Sequence, residues 1–424
     1  MNASKSLREL SCADDYDADS MPVERARALI RQFLTPVTAT ERVHVRFALN
    51  RVLAEDVMAP FAVPGHDNSA MDGWAVRFAD LRHNGDTQLK RIGESFAGRP
   101  YAGTLNAGEA VRIFTGGVMP PGADTVVMQE RATEIPDGVV VSAKAVSKAG
   151  QNRRFAGEDL QLGQVVFGVG QPVRPAELGM IASLGINEVS VYRKLRVAFF
   201  STGDELRSLG TPLAQGEIYD SNRYTLYGML ARLDCDMVDM GVVPDIPAEL
   251  EHAFATAAAN ADVVITSGGV SVGEADYVKA LLDKLGEVLF WKIAMKPGRP
   301  LAYGKIGGAH FFGLPGNPVS VMVTFYQFVR DAIMVLQGRC DVGSTPLFKA
   351  ILAAPIRKMP GRTEFQRGLL MPDGSGWNVR TTGDQGSGIL SSMSRANCFI
   401  VLPAETGDVA AGESVDVQLL EGLI

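Results

Sequence analysis

The side chains of this chain that could do chemistry fall into an acidic set and a basic set. Glu205 stands in Gly203-Asp204-Glu205, directly after the apolar run Arg196-Val-Ala-Phe-Phe-Ser-Thr. Asp245 follows Val242-Val243, and Asp276 follows Asp262-Val-Val-Ile-Thr and a loop of small residues. Hard divalent cations take carboxylate oxygen, so acids at three successive strand ends point to a Mg²⁺ site. The basic set is Lys292, Lys296 and Arg299, in Trp291-Lys-Ile-Ala-Met-Lys-Pro-Gly-Arg-Pro. In a chain of net charge −7 such a cluster suggests an anionic ligand. The competing reading is solvated charge on a sheet edge, which keeps that edge from pairing.

The third acid must be positioned by residues 262–277. Asp262 to Thr266 is β-branched and apolar, as a strand buried on both faces of a parallel sheet would be. In the loop that follows, Gly268, Gly269 and Gly273 admit backbone angles and close approaches closed to other residues. From Glu274 onward the apolar residues recur at helical spacing. Strand, small-residue turn and helix start together make an anion site. The frame Gly268-x-x-x-x-Gly273 mimics a P-loop, but Glu274 and Ala275 stand where Lys and Ser/Thr are needed. That excludes a nucleoside-triphosphatase reading. Asp276, in the first helical turn, is placed to hold a divalent cation against a phosphate. The same residues also fit a tight turn whose acid serves only the helix dipole. On these residues the two readings stand level.

The other candidates are weaker. Asp67, Asn68 and Asp72 share one turn-rich loop, where functional groups are often presented. Composition alone favours an Asx-turn loop bonded to its own backbone. Thr115, in Thr115-Gly-Gly, could reach a ligand oxygen, though a strand-end hydroxyl is more often a local cap. Arg153 and Arg154 stand near Glu158 and Asp159, which reads as a solvated ion-pair loop. Leu314-Pro-Gly-Asn-Pro-Val-Ser320 feeds a helix and sets Ser320 near its positive end. Arg362 and Ser387 lie in loops, and nothing about them singles them out.

The chain has 424 residues, 46% hydrophobic and 21% charged, as soluble globular proteins of two to four domains do. It carries no dense Lys/Arg run, which argues against nucleic acid, and no apolar stretch of membrane-spanning length. Its N-terminus lacks a signal-peptide segment. The four cysteines make no CxxC pair, and the five histidines no HxH or HxxxH pair. That speaks against zinc or disulfides and for a reducing cytosol. In order, the expectation is a disordered tail over 1–20, then a helix from Met21 to about Leu34. An antiparallel β-region with Gly/Pro punctuation should cover 86–150. Strands alternate with helices over 194–338, the pattern of a doubly wound α/β domain. A barrel-like β-domain over 345–424 should include a hairpin at Pro372-Asp-Gly. The expected division is 21–60 with 151–190 (an α/β region), 61–150 (an inserted β-domain), 191–340 and 345–424.

Several blocks resemble one family. They are Asp67-Asn-Ser-Ala-Met-Asp-Gly-Trp-Ala-Val, Arg112-Ile-Phe-Thr-Gly-Gly, Ser201-Thr-Gly-Asp-Glu-Leu and Tyr219-Asp-Ser-Asn. Ser267-Gly-Gly-Val-Ser-Val-Gly-Glu-Ala-Asp-Tyr, Met295-Lys-Pro-Gly-Arg-Pro and Leu314-Pro-Gly-Asn-Pro-Val-Ser complete the set. The chain is similar, from about residue 20 to its end, to the molybdopterin molybdenumtransferases, relatives of the C-terminal domain of gephyrin. The resemblance implies a cytoplasmic homodimer of four-domain subunits, each with a molybdopterin-binding α/β domain. It implies that adenylylated molybdopterin and molybdate are the substrates, and that Mg²⁺-dependent cleavage of the adenylyl bond releases AMP and molybdenum cofactor. Transient contact with the adenylylating sister enzyme is implied as well. By motif, Glu205, Asp245 and Asp276 would serve Mg²⁺ and the pyrophosphate bond, and Lys292 and Lys296 the anionic substrate. Ser267, Gly268, Gly269 and Ser271 would line the substrate. Lys296, Arg299, Ser320, Arg362 and Ser387 match an oxyanion-binding region. Asp72, Thr115 and Asp159 match positions that the partner subunit brings to the cleft. The family often has Lys where this chain has Arg299, so a planar fork replaces a point donor there. Two other readings remain open: adenylylation of molybdopterin by ATP, and a dimeric scaffold.

Overall fold

The computed structural model describes residues 21–82, 84–269, 275–343, 345–374 and 376–420, without the side chains of 275–279 and 290. The expected tail over 1–20 lies outside the described residues. The chain forms two compact units, one of Glu55–Gly168 with Pro175–Val189, the other of Met1–Ala54, Val169–Arg174 and Ser190–Ile424.

The first of these units is built on a six-stranded sheet. Its strands are β1 (Gly73–Val76), β2 (Thr87–Ser95), β3 (Glu109–Ile113), β4 (Thr125–Met128), β5 (Ala132–Ile135) and β6 (Gly138–Val141), in spatial order β4-β1-β3-β2-β6-β5. Alternation divides the side chains between two cores. Trp74, Val76, Val127 and Val139 go to one, and Ala75, Val111, Ile113 and Val126 to the other. The antiparallel expectation needs one correction: β2 and β3 run parallel, with a bulge between Arg91 and Gly93. The long connection over 96–108 permits this, because a parallel pair needs a crossover rather than a tight turn.

The larger unit opens with α1 (Val23–Phe33), which buries Val23, Ala26, Leu29 and Ile30 at helical spacing. Its main sheet contains β7 (Arg196–Thr202), β8 (Asp236–Val243), β9 (Val263–Ser267), β10 (Gly286–Lys292), and two later strands. After the short β11 (Met295–Lys296) come those two, β12 (Pro300–Ile306) and β13 (Ala309–Leu314). The spatial order is β8-β7-β9-β13-β12-β10. The first four run parallel, while β12 and β10 close the sheet antiparallel. Gly307-Gly308 joins Ile306 to its partner Ala309, too short a link for a parallel crossover. Helices cover both faces. Val197 and Phe199 pack towards α2 (Ser221–Arg232) and α5 (Pro318–Leu336), in a core that also takes in α1. Ala198 and Phe200 pack towards α3 (Pro247–Asn260) and α4 (Ala275–Leu285). On that side Phe254 sits edge-on to Phe200 and Phe311, at 5.2 and 5.6 Å between ring centres. α5 has the length and hydropathy of a membrane-crossing helix, but 72% of that stretch is buried in the fold.

The chain then forms β14 (Phe348–Leu352), β15 (Thr363–Asp373), β16 (Gly376–Thr381), the helix α6 (Leu390–Arg395), β17 (Cys398–Leu402) and β18 (Ser414–Leu419). The order β15-β16-β14-β18-β17 closes through a β17–β15 pairing, a five-stranded barrel. The expected hairpin is there, with Asp373 paired to Gly376.

At the amino end of β9 the Asp262 carboxylate takes two bonds from the Arg193 guanidinium, both 2.7 Å, and one from the Arg196 N–H at 2.8 Å. Burial raises its pKa, but the Arg193 and Arg196 bonds outweigh that and leave it below the usual carboxylate value. A carboxylate depressed in the folded state adds stability above its unfolded pKa and loses it as pH falls through the folded one. Asp262→Asn is therefore expected to cost about 1–2 kcal/mol at pH 7, discounted for partial exposure. Chemical denaturation at pH 7 and below pH 4 checks this, and the difference should shrink in acid.

Candidate functional site

In the larger unit the chain runs from β7 outward to β8, then returns to the other side of β7 to lay down β9. The strand order reverses between β7 and β9, which is where open α/β sheets bind ligands, at the carboxyl ends. A cavity of about 600 Å³ lies there, and its lining includes Glu205, Asp245, Ser267, Gly268 and Gly269. Glu205 and Asp245 thus share one cavity, each just past the end of its strand.

Two glycines shape this end of the sheet. A Cβ on Gly268, at φ +94°, would stand 2.4 Å from the Thr202 carbonyl oxygen. Only glycine lets the end of β9 pass so close to the end of β7. A Cβ on Gly203 would meet the Glu205 Oε2 at 2.6 Å, so the missing side chain is the space the carboxylate occupies.

The floor is a polar network. The Ser201 hydroxyl donates to Asp220 Oδ1 at 3.0 Å and lies 3.2 Å from the Ser267 hydroxyl. Asn222 Nδ2 donates to Ser267 Oγ at 3.2 Å and to the Gly316 carbonyl at 2.6 Å. Asp220, 1% exposed, also caps α2 by accepting from the Arg223 N–H at 3.2 Å. Sequence reasoning gave Ser201, Asp220 and Asn222 no role. The N-cap position of Asp220 before an apolar helix was the available signal.

The other sequence-derived residues are distributed as follows. Ser271 and the side chain of Asp276 lie outside the described residues. Lys292 ends β10 opposite Pro300 and is not part of the cavity lining, nor is Arg299. Lys296 and Arg362 lie on the seam where β11 pairs with the start of β15, Lys296 beside Glu364 at 3.5 Å. Ser320 is buried in the first turn of α5. The Ser387 carbonyl accepts from the Val319 N–H at 3.1 Å, so its loop rests on that helix start. The next residue, Gly388, borders the cavity.

The loop around Ser387 depends on a residue the sequence reading passed over. Arg367, 1% exposed, donates from Nε to Ser392 Oγ at 3.0 Å and from Nη2 to the Gly386 carbonyl at 2.9 Å. Its backbone N–H donates to Gln385 Oε1 at 2.7 Å. Burial pulls its pKa down to about 10, with Asp384 opposing. An arginine in an apolar strand, where a hydrophobe is expected, was the sign of it.

Asp72, Thr115 and Asp159 belong to the smaller unit. Asp72 Oδ1 accepts from the Thr115 N–H and hydroxyl, both 2.8 Å. This corrects both local readings: Asp72 does not serve its own turn, and Thr115 is no cap. The Thr115 N–H and hydroxyl together, with Arg112 nearby, hold the Asp72 carboxyl below its ordinary pKa. Asp67 departs from its local reading as well. It pairs with Arg153, 86 residues further on, and accepts from the Ala156 N–H at 2.7 Å, so it does not serve its own turn. Among the described residues the ion pair of Arg153 is with Asp67 rather than with Glu158 or Asp159. Asp159 donates its N–H to the Val63 carbonyl at 3.0 Å, and no hydrogen bond or ion pair ties it to Asp72 or Thr115 among the described residues.

For Mg²⁺, the cavity offers hard oxygen donors in Glu205 and Asp245. Among the described residues no group of three or more His, Cys, Asp or Glu is gathered closely enough to hold a metal alone. Two carboxylates with oxygens of a bound phosphate fit a cation that keeps several of its waters.

Three family models match the chain. They are the MoeA N-terminal region (domains I and II) over residues 21–185, a probable molybdopterin binding domain over 198–335, and the MoeA C-terminal region (domain IV) over 349–420. A molybdopterin molybdenumtransferase of Haemophilus influenzae is 46% identical, over 95% of this chain and 100% of its own. One of Nostoc is 37% identical, over 90% of this chain and 89% of its own. The crystal structure of the molybdopterin biosynthesis moeA protein from Pyrococcus horikoshii superposes with a TM-score of 0.82 at 31% identity, covering 95% of this chain and 100% of that one. The chain belongs to the molybdopterin molybdenumtransferase family, enzymes that insert molybdenum into molybdopterin.

Proposed function

We propose that this enzyme takes adenylylated molybdopterin and molybdate, and that Mg²⁺-dependent cleavage of the adenylyl bond releases AMP with the finished cofactor. The observation that carries the reading is the pair Glu205 and Asp245 facing one cavity at the strand-order reversal. With Asp276, these carboxylates would hold Mg²⁺, which supplies charge neutralisation at a phosphoanhydride. Gly268 and Gly269 let the substrate approach backbone, beside Ser267 and Ser271. Lys292 and Lys296 hold the anionic substrate through charge-assisted bonds. Lys296, Arg299, Ser320, Arg362 and Ser387 receive molybdate, a tetrahedral dianion suited to ammonium, guanidinium and hydroxyl donors. No cysteine is needed as a nucleophile.

The same reading makes the active enzyme a cytoplasmic homodimer in which Asp72, Thr115 and Asp159 of one subunit complete the cleft of its twin. The substrate arrives from the adenylylating sister enzyme. It divides the chain at 21–60 with 151–190, 61–150, 191–340 and 345–424. The test is AMP release from adenylylated molybdopterin, with and without molybdate and Mg²⁺. AMP should appear only with Mg²⁺, and active cofactor only when molybdate is also present. Cofactor made from molybdopterin and molybdate without any adenylyl group would overturn the reading.

A further inference from the structure

In the smaller unit six side chains stand in one continuous stack: Arg91, Trp74, Arg112, Phe114, Phe96 and Arg99. The guanidinium carbons of Arg91 and Arg112 lie 5.9 and 5.4 Å from the Trp74 ring centre. Arg112 is also 5.1 Å from the Phe114 ring. Phe114 and Phe96 stack at 4.5 Å and 10°, and Arg99 lies 4.5 Å over Phe96. Cations over ring faces and parallel rings attract, so the stack is cohesive along its length.

Arg112 sits inside that stack with rings on both sides, and its nitrogens reach two further groups. Nη1 donates to the Gly73 carbonyl at 3.1 Å and Nη2 to Gln129 Oε1 at 2.7 Å. Gly73 is the residue after Asp72, and the Gln129 N–H donates to the Asp72 carbonyl at 3.1 Å. Phe114 is the residue before Thr115. One guanidinium therefore ties together the backbone beside Asp72, the residue bonded to Asp72, and the ring that precedes Thr115. Asp72 and Thr115 are the two ends of the carboxylate–hydroxyl pair described above.

We propose that Arg112 is a positioning residue for molybdenum insertion, acting through the Asp72–Thr115 pair. The inference rests on the reading that this pair takes part in the reaction. A lysine could not do the same work, because it lacks the planar fork that bonds two acceptors while stacking on rings.

The test is a double-mutant cycle on the full-length enzyme, reading kcat and KM for molybdate alongside thermal midpoint. Arg112→Met should lower kcat about tenfold and change KM by less than about twofold. Arg112→Lys should fail to rescue it. In an Asp72→Asn background, Arg112→Met should cost nothing more, because the group it positions is already gone. Gln129→Leu is an exposed change that removes one anchor of Arg112 and spares the fold. It should give a smaller kcat loss that also vanishes with Asp72→Asn. Additive losses in the double variants would overturn the inference and leave the role of Asp72 standing. An Asp72→Asn enzyme with unaltered kcat would overturn both.

Discussion

Asp245→Asn and Glu205→Gln are each expected to lower kcat for molybdenum insertion by about a hundredfold or more, with little change in thermal midpoint. Both substitutions keep shape and remove one negative charge from the cavity they share. Both side chains are exposed, so an isosteric amide at either position should change stability by about 0.5 kcal/mol or less. The loss should fall on the cation. The Mg²⁺ concentration for half-maximal AMP release should rise in each variant, and excess Mg²⁺ should restore part of the activity. Each variant's kcat is measured against Mg²⁺ concentration, next to a melting curve. Wild-type Mg²⁺ dependence in both variants would sink the assignment of these acids to the cation. A midpoint that fell by ten degrees or so would instead make them structural, because a change of that size means several kcal/mol in a domain of this length.

What the sequence disclosed follows the range over which each constraint acts. The doubly wound sheet was legible because burial on both faces demands a continuous apolar strand, and Val197-Ala-Phe-Phe is one. Its alternate residues do enter the two cores on opposite faces. The positions of Glu205 and Asp245 just past their strands were legible for the same reason, since the strand ends themselves were. The parallel pair β2–β3 was hidden because a run of alternating residues carries no mark of its partner's direction. The Asp72–Thr115 bond was hidden because it joins residues 43 apart, across strands whose register sequence does not print. Local composition made an Asx-turn the economical choice there, and Asp67 was hidden in the same way, since its carboxylate is satisfied by Arg153 and Ala156, 86 and 89 residues on. Arg362 and Arg367 show the limit of motif reading. Both stand in Gly361-Arg-Thr-Glu-Phe-Gln-Arg, and the exposed one attracted the assignment. The buried one holds the loop, which only the barrel's closure reveals.

Arg367→Met should separate stability from function in the opposite direction to an ordinary core substitution. The folded state keeps this guanidinium at 1% exposure, with no ion pair among the described residues and its pKa drawn down to about 10 by burial. A base depressed in the folded state is a destabilising charge at neutral pH. Taking a charge out of water without an ion partner costs on the order of several kcal/mol. Against that stand the bonds to Ser392 Oγ and the Gly386 carbonyl, each worth about 1.5–3 kcal/mol for a charged donor. The two sides nearly cancel, and methionine fills most of the volume, so the midpoint should move by only a few degrees. The loop does not survive as well. Gly386 loses its anchor, and Ser387 and Gly388 connect that anchor to the start of α5 and the rim of the cavity. A shift of an ångström there should reduce insertion about ten- to a hundredfold. Melting and turnover measured on one preparation decide it. If the midpoint collapses while activity per folded molecule stays normal, Arg367 serves the barrel alone and the loop owes it nothing.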